Sequence, residues 1–81
     1  MRSIIVMNGS RHRLISYGNG LAYRLEDMKG RRSVFLQGDD AHQFRDELET
    51  LENLRPDDGA DDILGWMWDH HDYGAASTEM E

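Results

Sequence analysis

The stretch Ser33-Val34-Phe35-Leu36-Gln37-Gly38-Asp39-Asp40-Ala41-His42-Gln43-Phe44 is where the chain changes its hydrophobic period. Before Gly38 stands a short run rich in apolar and aromatic residues, of strand length. After it, Ala41, Phe44, Leu48 and Leu51 recur at steps of three and four residues and fall on one stripe of a helix. Strands up to this point and helices beyond it make an α+β chain.

Toward the N-terminus the pattern is strand, turn, strand. Ile4-Ile5-Val6-Met7 is followed by Asn8-Gly9-Ser10, and Asn-Gly is the strongest short hairpin signal. From Arg11 to Tyr17 the side chains alternate, with Arg13, Ile15 and Tyr17 on one side and His12, Leu14 and Ser16 on the other. Tyr17-Gly18-Asn19-Gly20 is a second turn. Leu21, Tyr23 and Leu25 share a face opposite Ala22, Arg24 and Glu26, and the next turn centres on Gly30. Connections this short require antiparallel neighbours. The expected fold is therefore a four-stranded antiparallel β-meander followed by two α-helices.

Toward the C-terminus, Asp39 or Asp40 can cap the first helix, with Gln43 completing a capping-box-like pair from Asp40. Pro56 disfavours a helical Arg55, so this helix should end near Leu54. Asp57-Asp58-Gly59-Ala60 reads as a loop. Asp61 or Asp62 then caps a second helix running from Ile63 to about Tyr73, and Gly74 is placed to stop it. The division this implies is one domain over residues 1–74 and a frayed, small and polar tail over 75–81.

Charge is split along the chain. Residues 1–38 hold seven Lys/Arg against two acids, whereas residues 39–81 hold two Arg against fourteen acids. The net charge of −7 therefore conceals a basic first half and an acidic second half. An 81-residue chain buries only about 60% of its unfolded surface, so its core is small. With no cysteine it has no disulfide and no thiolate zinc site, and a small domain without such staples is expected in a reducing cytoplasm. Its longest apolar run, Ile4–Met7, is far too short to span a membrane or to form a signal-peptide core.

Catalytic and metal patterns are weak. In Asp69-His70-His71-Asp72 the two histidines are adjacent and diverge by about 100° on a helix, which keeps them from sharing one ion. His71 is expected to be partly buried near Met67. His12 and His42 stand apart from any nucleophile motif. The reading is a non-enzyme with no metal and no cofactor. Arg11, Arg13, Arg31 and Arg32 sit at turns and strand ends, where they form a basic patch or pair with the chain's own acids. A net −7 chain is repelled by nucleic acid, so a direct nucleic-acid partner is not expected.

Two groups of residues point to a protein partner. Asp46, Glu47, Glu49 and Glu52 lie off the apolar stripe of the first helix, with Asp46, Glu49 and Glu52 at three-residue steps, and Asp57, Asp58, Asp61 and Asp62 extend the acidic region into the loop. They are either a solubilising face or a set of carboxylates standing where phosphates would. In the second helix Ile63, Leu64, Met67 and Trp68 form an inner face, while Trp66, His70 and Tyr73 make a second stripe along the edge. Exposed aromatics beside acids suit an interface, the alternative being that Trp66 covers the rim of the sheet.

In size, acidity, absence of cysteine and sheet-then-helix order, the chain resembles the small inhibitors made by phages, anti-CRISPR proteins among them. The acidic run from Asp39 to Asp72 and the Asn8–Gln37 meander carry the likeness, which is one of general character over the whole chain. These inhibitors share no motif, so no residue role is transferred. The resemblance implies blockage of a basic, nucleic-acid-binding groove on a partner protein. The alternative is a homodimeric or larger interaction module using the sheet's open face or the Trp66 stripe.

Overall fold

Alternation and tight turns decide the sheet. The computed structural model describes residues 2–80. Four strands come first, β1 (Ser3–Asn8), β2 (His12–Tyr17), β3 (Ala22–Asp27) and β4 (Arg32–Gln37), each paired antiparallel with the next. Leu21, expected in the third strand, lies in the preceding turn and is 66% exposed. Register places Met7, Leu14, Leu25 and Val34 in one row across the sheet. These side chains face the helices. The next row on the opposite face is Ile5, Ile15, Arg24 and Phe35. A bulge between Ile5 and Met7 displaces Val6 from this register.

The switch to helix occurs at Gly38, whose φ of 61° and ψ of −133° suit glycine and few other residues. Helix α1 spans Asp39–Leu54 and α2 spans Ala60–His70. Both are capped by glycine, Gly38 and Gly59, with no side-chain cap. The expected aspartate caps are thus corrected: Asp39, Asp40, Asp61 and Asp62 all stand inside the first turns, where they still favour the helix dipole. Gln43 makes no capping box; its amide donates to Glu47 at 2.9 Å.

The two helices lie on one face of the sheet, α2 over β2 and α1 over β4. The predicted stripe Ala41, Phe44, Leu48 and Leu51 is buried, as are Ile63, Leu64, Met67 and Trp68 of α2. Phe44, Leu14, Leu25, Leu64 and Met67 are the largest wholly enclosed side chains. Each contributes about 1.5–3 kcal/mol of burial.

Beyond α2 the structure departs from expectation. The helix ends at His70, and the chain turns at Asp72, whose φ is 61°. Tyr73 opens a separate short helix, α3 (Tyr73–Ala76), and Gly74 lies within it. The expected frayed tail is tied down. Ser77 is buried and accepts from Arg32 Nε at 2.8 Å, while its carbonyl accepts from Arg32 Nη2 at 2.6 Å. Strand β5 (Thr78–Glu79) then pairs with the start of β4, so the sheet has five strands in sequence order. Arg32, itself exposed at the edge of β4, holds the buried Ser77 and so supplies the anchor that a small polar tail lacks. Glu81 lies outside the described residues. No helix among the described residues is long and apolar enough to cross a membrane.

Candidate functional site: an acidic helical layer with an apolar cleft

The charge split along the sequence becomes a split between layers. Three cations of the first half are engaged by acids of β3, while Arg32 is held by Ser77. Arg11 pairs with Asp27 at 3.2 Å and Arg13 with Glu26 at 2.5 Å. Arg24 stands 3.2 Å from Glu26 at an angle too poor for a hydrogen bond. None of these arginines reaches an acid of α1. The helical layer has its own pairs, Arg45–Glu49 at 3.4 Å and Arg55–Asp58 at 3.6 Å. Among the described residues, the exposed Asp46, Glu52 and Asp57 make no ion pair. Two short-range exposed pairs neutralise little of so much charge.

Between α1 and α2 lies a cleft of about 220 Å³, lined by Glu47, Thr50, Leu51, Leu54, Trp66 and His71. The first four recur on one side of α1 at steps of three and one. Leu51 is buried beneath, and Leu54 is 73% exposed at the helix end. Trp66 is half-buried and packs against the core. Its ring stacks on His70 with centroids 4.4 Å apart and planes 8° from parallel. His71 meets it edge-on at 5.2 Å, and the Arg55 guanidinium sits 5.9 Å from the ring centroid. The indole is therefore held from several directions.

At the other end of the cleft the Glu47 carboxylate is a junction. Tyr73 donates its hydroxyl to Oε2 at 2.9 Å, His71 Nδ1 lies 3.1 Å from the same oxygen, and Gln43 donates to Oε1. Burial, together with the Glu47 charge, pushes the Tyr73 hydroxyl well above its ordinary value, so it remains a donor.

The structure divides the predicted site residues. Asp46, Glu49 and Glu52 are exposed along α1, and Asp57 and Asp58 follow in the loop, all in the helical layer. Trp66 and His70 are brought together. Tyr73 is not part of their stripe: it is half-buried and packs edge-on to Phe44 at 5.4 Å. The turn at Asp72 removes it from the helical phase on which that stripe was drawn. Trp66 covers the seam between α1 and α2 instead of the sheet rim. His71 is more exposed than expected and reaches Glu47. Thr50 and Leu54 were not singled out by sequence, and Glu47 was read only as one of the acids off the apolar stripe of α1. The available signal was Leu54 itself, an apolar residue at a helix end outside the buried stripe.

Comparison with known proteins decides nothing further. No family model matches the chain, and neither a curated protein nor a solved structure matches it.

Two further polar features lie at the join between α2 and the first hairpin. The Asp61 carboxylate accepts three backbone N–H groups, from Ser10 at 2.7 Å, Arg11 at 2.9 Å and His12 at 2.8 Å. The His12 and Arg11 amides, in that order, hold Asp61 below the usual carboxylate range. A β-carbon on Gly9 would collide with this carboxylate, so the turn needs glycine there. His12 is 5% exposed, and neither ring nitrogen has a hydrogen-bond partner. Burial lowers its pKa, outweighing Asp27, Asp61 and Asp69 nearby. No group of three or more His, Asp or Glu among the described residues is placed to hold a metal ion.

Proposed function

We propose that the chain is a small, non-enzymatic cytoplasmic protein whose acidic helical layer occupies a basic, nucleic-acid-binding surface of a partner protein, in the manner of phage inhibitors of the anti-CRISPR type. The observation that carries this reading is the segregation of charge. Arg11, Arg13 and Arg24 are matched to Glu26 and Asp27, so none of them neutralises the exposed Asp46, Glu52 and Asp57 of α1 and the following loop.

Asp46, Glu49 and Glu52 rise along α1 by about 4.5 Å per step. That compares with about 3.4 Å of duplex axis per charge of one DNA strand. Asp57 and Asp58 follow in the loop past the helix end, Asp58 paired with Arg55. Carboxylates in this row take sites built for phosphates, and encounter is steered by charge, so it weakens as salt rises.

The test is displacement of labelled DNA from a panel of purified RNA-guided nucleases. The wild-type chain is expected to release DNA from a susceptible member. A variant with Asp46, Glu49, Glu52, Asp57 and Asp58 changed to Lys is expected not to. Equal displacement by both proteins, or none by the wild type from any member, refutes the mimicry.

A second reading, a homo-oligomeric module, is favoured by the sheet's open face. Phe35 is 53% exposed there in the row with Ile5, Ile15 and Arg24, and no helix covers it. Sedimentation at two salt concentrations separates the readings: a salt-insensitive dimer supports the second, and a monomer the first.

A further inference from the structure

We infer that the cleft between α1 and α2 is an anchor pocket for one large aliphatic or aromatic side chain, carried by a lysine- or arginine-flanked segment of the partner. This rests on the acidic-layer reading above and names the chemistry of what that layer grips.

Size comes first. A volume of about 220 Å³ is below the roughly 300–1,000 Å³ of most small-molecule and cofactor sites. An apolar cavity of about 150 Å³ already admits benzene. The space therefore fits a single side chain. Its walls are Leu51, Leu54 and Trp66, and its polar end is closed by a carboxylate already satisfied by Tyr73 and Gln43. An apolar occupant leaves no hydrogen bond broken there.

Preorganisation comes second. Trp66 is stacked on His70, flanked by His71 and capped by Arg55, so little ring freedom remains to be lost on binding. Leu54 is the exposed lip.

Charge decides the flanks. Asp46 lies one turn before Thr50, Asp62 lies one turn before Trp66, and Asp57 and Asp58 follow the end of α1. The cation at this rim, Arg55, is paired with Asp58 at 3.6 Å. A bare apolar residue gains nothing from this rim, whereas an apolar residue between two cations matches both the pocket and its edge.

The experiment is titration of the full chain with Lys-Lys-Leu-Lys-Lys, followed by amide and indole NMR shifts. Saturable shifts centred on Thr50, Leu51, Leu54 and the Trp66 indole are expected. Replacing the peptide's leucine with alanine should weaken binding by about tenfold or more, as for an anchor residue. Leu54→Asp should do the same. Leu54 is exposed, so this change leaves the core packing intact, which a Trp66 change does not. Replacing the peptide's lysines with glutamates should abolish the shifts.

Shifts that ignore the anchor residue and Leu54→Asp, yet spread over Asp46 to Asp58 and vanish with salt, overturn the pocket while leaving the acidic-layer reading standing. Shifts that depend on leucine but survive the lysine-to-glutamate change keep a pocket and refute its basic partner, and the acidic-layer reading loses its support. Cleft shifts that grow with the chain's own concentration and disappear in Phe35→Ser identify the occupant as a second copy and overturn the assignment.

Discussion

Replacing Asp61 with alanine should unfold this protein far more readily than any other acid-to-alanine change in the helical layer. The side chain accepts three backbone N–H groups across about fifty residues of sequence, from Ser10, Arg11 and His12. The His12 bond is partly buried, and a bond to a charged group in such a place contributes about 1.5–3 kcal/mol. The Ser10 and Arg11 bonds are exposed, and water replaces them at a net cost of about 0.5 kcal/mol each. The total is about 3 kcal/mol, which for a domain of this size lowers the melting temperature by roughly 12–24 °C. Asp61→Asn keeps an oxygen for two amides but turns an NH₂ toward Ser10, so it should fall between.

A pH series separates the charge from the contact. Asp61 is held below its ordinary value of 3.8 in the folded chain. A carboxylate with a depressed folded pKa stabilises fully above that ordinary value and loses the contribution as pH falls through the folded one. The gap between wild type and Asp61→Asn should therefore be constant from neutral pH down to about 4 and close below it. Urea melts at several pH values measure this. An Asp61→Ala protein that melts within about 2 °C of wild type at neutral pH, a shift worth under 1 kcal/mol at this size, would show that the clamp is not stabilising.

Two further outcomes follow from the packing. His12 is buried with both ring nitrogens unpartnered, and burial lowers its pKa from 6.5, so wild-type stability should decline as pH falls from 6.5 toward the folded value; His12→Phe, packed on Trp68 and Gly65, should be flat across that window in denaturant melts. Trp68→Ala should cost about 3–5 kcal/mol as a core truncation, and Trp66→Ala about 1–2 kcal/mol because its ring is half-covered by α1 and its histidine neighbours; thermal melts in which Trp66→Ala is the more damaging would invert the assigned faces of α2.

Much of the fold was legible because it is written in local periods. The steps from Ala41 to Leu51 placed α1 and its buried side, and Pro56 marked its end. Alternation through Arg11–Tyr17 put His12, Leu14 and Ser16 on one side, and the structure buries that side. What escaped depends on residues far apart in sequence. Asp61 reads locally as a helix cap, and only the docking of α2 beside the first hairpin turns it into a clamp. The tail is polar and small, and its order comes from Arg32, 45 residues away. Tyr73 continued the helical phase on paper, but a left-handed residue at Asp72 broke that phase. The cleft exists only because α1 and α2 pack side by side, and no single-helix pattern contains it.

These distinctions sort the acids by what holds them. Glu26 and Asp27 are buried against arginines within the sheet, and Glu47 is tied to Tyr73 and Gln43. Asp61 fastens α2 to the first hairpin. Each of the four has a structural partner that accounts for its charge, and altering any of them perturbs the scaffold before it perturbs a surface. Asp46, Glu52 and Asp57 have none among the described residues, and each is exposed. Exposed charges of one sign repel one another and cost stability. Arg11, Arg13 and Arg24 are matched to Glu26 and Asp27, which leaves these three acids without a cation to offset that repulsion. The mutations that test a function therefore belong at those three positions and at the exposed Leu54, where the folded chain has least at stake.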